Sequence, residues 1–281
     1  MRYVTFFRGD GRACPGVIDG EAIRVIDAPT LRDFIALPAQ ERAASLTAER
    51  VDLASVRLDA PVRPCRNVFC IGRNYVDHVK EGARAAGRDL KLPQVPVFFT
   101  KATRSIAAAG ATLHLEAAVS QEYDYEAELA AVIGTTCKDI SEQEWRDPVF
   151  GYTCLNDVTA RDLQRAHGQW FKGKSLDDAC PLGPWIVSAD EITNPGQLEI
   201  TFRLTGVQKQ KSNTSQMIFG IPRIIAELSK GMTLEPGDVI ATGTPDGVGF
   251  ARRPPEFLRD GDEMEVEIEG IGCLTNRVSI V

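Results

Sequence analysis

The segment Asp124-Tyr125-Glu126-Ala127-Glu128-Leu129 runs on into Ala130-Ala131-Val132-Ile133, so two glutamates lead directly into an apolar, strand-like stretch. The strand period of two places Glu126 and Glu128 on one face. Neighbouring carboxylates at the head of a buried strand are costly unless something positive lies between them. A divalent cation resolves that repulsion, and hard oxygen ligands point to Mg²⁺, with Mn²⁺ or Ca²⁺ possible, over zinc. Asp157 follows the apolar run Phe150–Leu155 and is the candidate third ligand. Spacing alone leaves a second reading open, a solvated edge whose acids are paired by arginine or lysine.

Around this segment the chain is mixed and mainly β. Its 281 residues suit one to two domains. Tyr3–Phe7, Pro15–Asp19 and Ala22–Ile26 read as short strands separated by turns, and residues 31–50 have helix-compatible composition. Two prolines within 60–67 mark a linker, which gives a small β-rich N-terminal domain, 1–62, and a larger unit, 63–281. In the larger unit Val68–Ile71, Pro96–Thr100, Tyr123–Ile133, Phe150–Leu155, Trp185–Ser188, Leu198–Leu204, Val239–Thr242 and Glu263–Glu269 are the expected strands. Tyr75–Ala86 and Pro222–Lys230 are the expected helices, the second closed by Gly231. Ser141-Glu-Gln-Glu144 has the form of a capping box opening a short helix. The regular alternation of strand and long helix that marks a doubly wound fold is missing.

Composition excludes several functions. Lys and Arg number 32 against 39 Asp and Glu, a net charge of −7, so there is no basic surplus for nucleic acid. No apolar run approaches the roughly 18 residues a membrane span needs, and the first 20 residues lack the apolar core of a signal peptide. Seven cysteines without a CxxC pair read as reduced thiols, and the expected location is the cytoplasm. Gly243-Thr-Pro-Asp-Gly247-Val-Gly249 lacks the lysine of a P-loop and does not match a dinucleotide fingerprint. It reads as a tight loop after a buried strand.

Two further groups could carry chemistry. His78 and Glu81 are three apart on the expected helix, close enough for a carboxylate to fix one imidazole tautomer; an incidental surface contact is the plainer alternative. His114 reads as structural and His167 as a loop residue. Lys174 precedes Cys180-Pro-Leu-Gly-Pro-Trp185, which reads as a rigid turn, and could stabilise a developing anion; neighbouring Lys172 competes for that role.

Six ordered blocks, together spanning about residues 68–250, resemble the fumarylacetoacetate hydrolase family. They are Gly72-Arg-Asn-Tyr-Val-Asp-His78-Val-Lys-Glu81, Asp124–Leu129, Leu155–Gln164, Gly173-Lys174-Ser175 through Trp185, Thr214–Phe219 and Thr242–Gly249. The resemblance implies a β-sandwich roll preceded by a small β domain, assembled as a homodimer. It implies a metal-dependent enzyme acting on 2-oxo acids, with Glu126, Glu128 and Asp157 as ligands of Mg²⁺. His78 and Glu81 become the catalytic dyad, Lys174 an electrostatic stabiliser, and Arg73, Gln164 and Thr244 substrate contacts. The expected reaction is hydrolysis of the C–C bond of acylpyruvates, such as maleylpyruvate or fumarylpyruvate, in aromatic compound catabolism. Oxaloacetate decarboxylation, dienedioate isomerisation and non-catalytic 2-oxo-acid binding are the alternatives. A fourth acidic ligand found upstream of the histidine segment in some members has no clear equivalent here, and residues 82–91 read either as a lid hinged at Gly82 and Gly87 or as a plain helix and loop.

Overall fold

The computed structural model describes every residue from Met1 to Val281. Five strands open the chain: β1 (Arg2–Phe7), β2 (Ala13–Asp19), β3 (Ala22–Ile26), β4 (Leu46–Asp52) and β5 (Arg57–Asp59). The short helices α1 (Leu31–Ala36) and α2 (Ala39–Ala44) interrupt them. Then follow β6 (Val68–Gly72), α3 (Val76–Ala85), β7 (Val97–Lys101), β8 (Ile106–Ala107), β9 (Thr112–Leu115), β10 (Tyr123–Asp124), β11 (Ala127–Ile133) and β12 (Val149–Asn156). The chain continues through β13 (Thr159–Ala160), α4 (Arg161–Ala166), α5 (Phe171–Lys174), β14 (Cys180–Ser188), β15 (Glu199–Leu204), β16 (Val207–Asn213) and α6 (Ile221–Ser229). It closes with β17 (Val239–Ala241), β18 (Glu263–Ile268) and β19 (Gly272–Ile280).

These strands form one large sheet, ordered β4-β3-β2-β1-β14-β12-β11-β17-β6-β7 with β5 beside β1 and β8 beside β14, a smaller one, β16-β15-β18-β19-β9, and the separate pair β10-β13. The N-terminal strands belong to the large sheet, because β1 pairs antiparallel with β14 through Arg2–Val187 and Tyr3–Ile186. Strand β11 lies centrally and is buried along its whole length. Its period of two feeds two cores at once. Leu129, Ala131 and Ile133 pack with the inward residues of the smaller sheet and with Ile221, Ile224, Ile225 and Leu228 of α6. Ala130 and Val132 pack with Leu31, Phe34 and Ile35 of α1. On α6 the apolar residues fall at i, i+3, i+4 and i+7, so one face meets the core. No helix is long and apolar enough to cross a membrane.

The fold is the mainly β, sandwich-like architecture expected, but four local expectations fail for definable reasons. Residues 31–50 do not form one helix: Pro38 separates α1 from α2, and Leu46–Asp52 pairs with β3 as an edge strand, so tertiary pairing overrides helix propensity. Ser141 and Glu144 make only half of the capping box: Glu144 Oε2 accepts from Ser141 N at 2.9 Å, but the Ser141 hydroxyl donates to the same oxygen at 2.7 Å instead of accepting from the Glu144 N–H, and only turns follow. Cys180–Trp185 is the first part of β14, paired with β12, and not a turn. Finally, the run 123–133 breaks at Tyr125 and Glu126, so Glu126 lies outside the ladder while Glu128 lies within it.

Candidate active site

The break before β11 and the end of β12 bring three acids to one point. One carboxylate oxygen from each of Glu126, Glu128 and Asp157 lies within 4.8 Å of the others, and all three residues are buried. A solvated edge is therefore ruled out, although cationic side chains do pair two of the acids. Lys174 Nζ donates to Glu126 Oε2 at 2.9 Å and to Asp157 Oδ2 at 2.7 Å. Lys101, fully buried at the end of β7, donates to Asp157 Oδ1 at 2.6 Å and to the Val158 carbonyl at 3.0 Å. Arg161 lies 2.8 Å from Asp124 Oδ2 and 2.7 Å from Glu126 Oε1. Glu128 has no ion pair. Counting Asp124, four carboxyl groups face three cationic side chains, so the fourth, Glu128, can carry its charge only when a further cation joins it. An all-oxygen donor set with one carboxyl group left without a cationic partner fits a hard divalent cation.

Electrostatics separate the acids further. Burial alone would raise Glu126, but the Lys174 ammonium and the Arg161 guanidinium outweigh it and hold the carboxyl down to about 2. Glu128 moves the opposite way, well above the ordinary range, through burial first and then the charges of Asp157 and Glu126. A carboxyl raised in the folded state holds its proton more tightly folded than unfolded. Its contribution to stability is therefore full at low pH and declines as pH rises from the unfolded value toward the folded one. A divalent cation that displaces this proton offsets the loss. Thermal stabilisation by Mn²⁺ is expected to be small near about pH 5 and to grow toward about pH 8, because binding releases the Glu128 proton. Equal stabilisation at both pH values in parallel melts would contradict this assignment.

The dyad forms on α3. His78 Nδ1 lies 2.9 Å from Glu81 Oε1, and both side chains are largely buried. Asn74 anchors the entry to that helix, its amide donating to the carbonyls of Phe219 and Thr242 while its Oδ1 accepts from Phe219 N. The glycine-rich loop after β17 then ties the parts together through its backbone. Gly243 N donates to Glu128 Oε2 at 2.7 Å and Gly247 N to Glu81 Oε2 at 2.9 Å. Gly249 N and Phe250 N donate to the two oxygens of Asp124 at 2.7 and 3.0 Å. Glycine is required at 247: its φ is +100°, and a Cβ there would come within 2.2 Å of the Lys209 carbonyl.

All of these groups surround a cavity of about 960 Å³. Arg73, His78, Glu126, Glu128, Gln164, Lys174 and Thr244 line it, while Glu81 and Asp157 stand immediately behind the lining. Arg73 adopts φ +57° and carries its guanidinium 5.9 Å above the Trp170 ring. Gln164 Oε1 accepts from Arg161, and the Thr244 hydroxyl accepts from Gln210. His114 is exposed on β9, and His167 is exposed at the end of α4; neither lines the cavity. Residues 82–91 are the end of α3 followed by an extended segment with Gly87 at φ +61°, and this stretch forms a wall of the cavity. Lys101, Arg161 and the loop amides are absent from the sequence reading. A lysine ending the apolar run Val97–Thr100 carries the same warning as a glutamate entering one, and Arg161 stands inside a quoted block; backbone amides leave no such mark.

Comparison with known proteins gives a consistent picture. Residues 67–279 match the family described as fumarylacetoacetate (FAA) hydrolase C-terminal, and residues 1–61 match one described as Rv2993c-like, N-terminal. Oxaloacetate tautomerase YisK of Bacillus subtilis (strain 168) is 46% identical over 227 residues, 80% of this chain and 74% of that protein. The mitochondrial oxaloacetate tautomerase fahd2 of Xenopus laevis is 44% identical over 227 residues, 80% of this chain and 69% of that protein. Among solved structures, the fumarylacetoacetate hydrolase from psychrophilic Exiguobacterium antarcticum superposes with a TM-score of 0.86 at 41% identity, over 100% of both chains.

Proposed function

The chain belongs to the fumarylacetoacetate hydrolase family, and we propose that within it the protein is a metal-dependent keto–enol tautomerase of 2-oxo acids, with oxaloacetate as the first substrate to try. The observation that supports this reading is a single imidazole, His78, held through Nδ1 by a carboxylate in the cavity that the acidic triad lines. With its Nδ1 proton given to Glu81, the imidazole keeps Nε2 free as a base. Glu126, Glu128 and Asp157 would hold the cation, which when bound supplies Lewis-acid stabilisation of an enolate oxygen.

The chain's own groups account for the proton traffic. His78 takes a proton from C3 of the 2-oxo acid, breaking the C–H bond and leaving its electron pair in the enolate. The imidazolium then returns the proton to the oxygen on C2 to give the enol, with no net redox change. Lys174 and Arg161, both buried and fixed at the triad, set positive charge beside the acids, where it would stabilise a developing anion.

Hydrolysis of an acylpyruvate, the reaction expected from the sequence, needs the same base but also a water directed at a distal carbonyl. The tautomerase names carried by relatives at 44–46% identity favour the simpler proton transfer. The test is to supply enol-oxaloacetate with Mg²⁺ and follow loss of the enol absorbance, with a panel of acylpyruvates assayed in parallel for pyruvate release. Acceleration of enol loss without pyruvate release supports the tautomerase. Pyruvate from acylpyruvates with unaltered enol decay would install the hydrolase in its place.

A further inference from the structure

Strand β16 is an edge strand of the smaller sheet with a mostly polar sequence, Val207-Gln-Lys-Gln-Lys-Ser-Asn213, and Gln210 is its only buried residue. Filling space would be served better by an apolar side chain, since a buried amide is costly unless its hydrogen bonds are made. Here they are made, and to two separate parts of the site. Gln210 Oε1 accepts from Ala127 N at 3.0 Å. Its Nε2 donates to Thr244 Oγ1 and to the Pro245 carbonyl, both at 2.8 Å. The amide donor at one end and the carbonyl acceptor at the other fix which way the side-chain amide faces.

Ala127 lies between Glu126 and Glu128. Strand β17 covers β11 only at Ala130–Val132, so at Ala127 the Gln210 side chain takes the place of a ladder partner. Pro245 is two residues from Gly247, whose N–H holds Glu81, and the Lys209 carbonyl beside Gln210 closes over Gly247. We propose that Gln210 is a positioning residue that locks the ligand-bearing strand to the 243–249 loop, setting the acidic triad and the His78–Glu81 dyad in register as one unit. The inference rests on the triad as the cation site and on the dyad as the proton carrier.

The test begins with Mn²⁺ titrated calorimetrically into the unsubstituted chain. Absence of binding removes the functional reading and this inference together. In Gln210→Met, which keeps the length of the side chain and none of its three bonds, Mn²⁺ affinity is expected to fall by roughly 10-fold or more, as for other groups that orient metal ligands. Turnover falls with KM little changed, and the pH profile of kcat moves because the anchor of Glu81 moves. Binding and pH profile both unchanged in a variant whose melting temperature alone has dropped would reduce Gln210 to a structural residue and overturn the inference. Gln210→Asn, one methylene shorter, takes the same measurements if the methionine variant is insoluble. Amide exchange in the unsubstituted chain gives an answer independent of either variant. Mn²⁺ is expected to slow exchange in residues 244–249 as well as in 126–128, and slowing confined to 126–128 would overturn the coupling.

Discussion

Replacing Asp157 with alanine is expected to cost about 3–5 kcal/mol of stability, the loss typical when one partner is removed from a buried ion pair. Asp157 is inaccessible to solvent and divides its two oxygens between Lys101, equally inaccessible, and Lys174. Without it, Lys101 retains only the Val158 carbonyl, and a buried ammonium facing one neutral acceptor must either stay charged at high cost or give up its proton. Urea unfolding should show a lower midpoint with an unchanged slope. The double variant Asp157→Ala, Lys101→Met should recover a large part of the loss, because the stranded charge goes with its partner. The exposed pair Arg50–Asp19 has the same 2.6 Å separation and makes a control. Breaking it should change stability by no more than about 1 kcal/mol. If both replacements cost the same, burial is not what gives the Asp157 pairs their weight.

Asp157→Asn separates stability from ligation. Asparagine keeps the shape and one acceptor oxygen, so the variant should unfold nearer to the parent than the alanine variant does. It should nonetheless bind Mn²⁺ far more weakly, since a neutral amide replaces one of three anionic ligands. That outcome would show the same residue serving folding through its lysines and cation binding through its charge.

What the sequence could reveal depended on whether a residue's signal was local. The acid–apolar alternation of β18, the i, i+3, i+4, i+7 spacing of α6 and the apolar run of β11 each describe a face that meets a core, and these elements stand where expected. Strand β16 gave no such sign, because its one inward residue is a glutamine that bonds to two distant segments. Residues 46–50 misled, because the Ala, Glu and Arg that favour a helix locally are overruled there by pairing with β3. In the site, side chains with chemical identity were readable: His78 and Glu81 by their spacing, and Glu126, Glu128 and Asp157 by charge in apolar surroundings. The clamps that hold them were not. Three carboxylates, those of Glu81, Asp124 and Glu128, are held by N–H groups of one loop, and every non-proline residue offers an N–H.

That clamp makes the dyad sensitive to a change that looks conservative. His78→Asn should lower kcat by about 10²–10⁴-fold, the usual contribution of a positioned general base. Its unfolding midpoint and Mn²⁺ affinity should be retained, because the imidazole's one polar partner is Glu81. Glu81→Gln should be nearly as inactive. The Gly247 N–H can only donate, so the glutamine oxygen turns toward it and the NH₂ group faces His78 Nδ1. Nδ1 must then accept, which puts the ring proton on Nε2, and the nitrogen needed as the base is blocked. Residues that act as one unit lose activity non-additively, so the double variant His78→Asn, Glu81→Gln should be no slower than the worse of the two singles. Losses that multiply in the double variant would mean that Glu81 acts on substrate independently of the imidazole, and near-normal turnover in His78→Asn would remove His78 from the proton path.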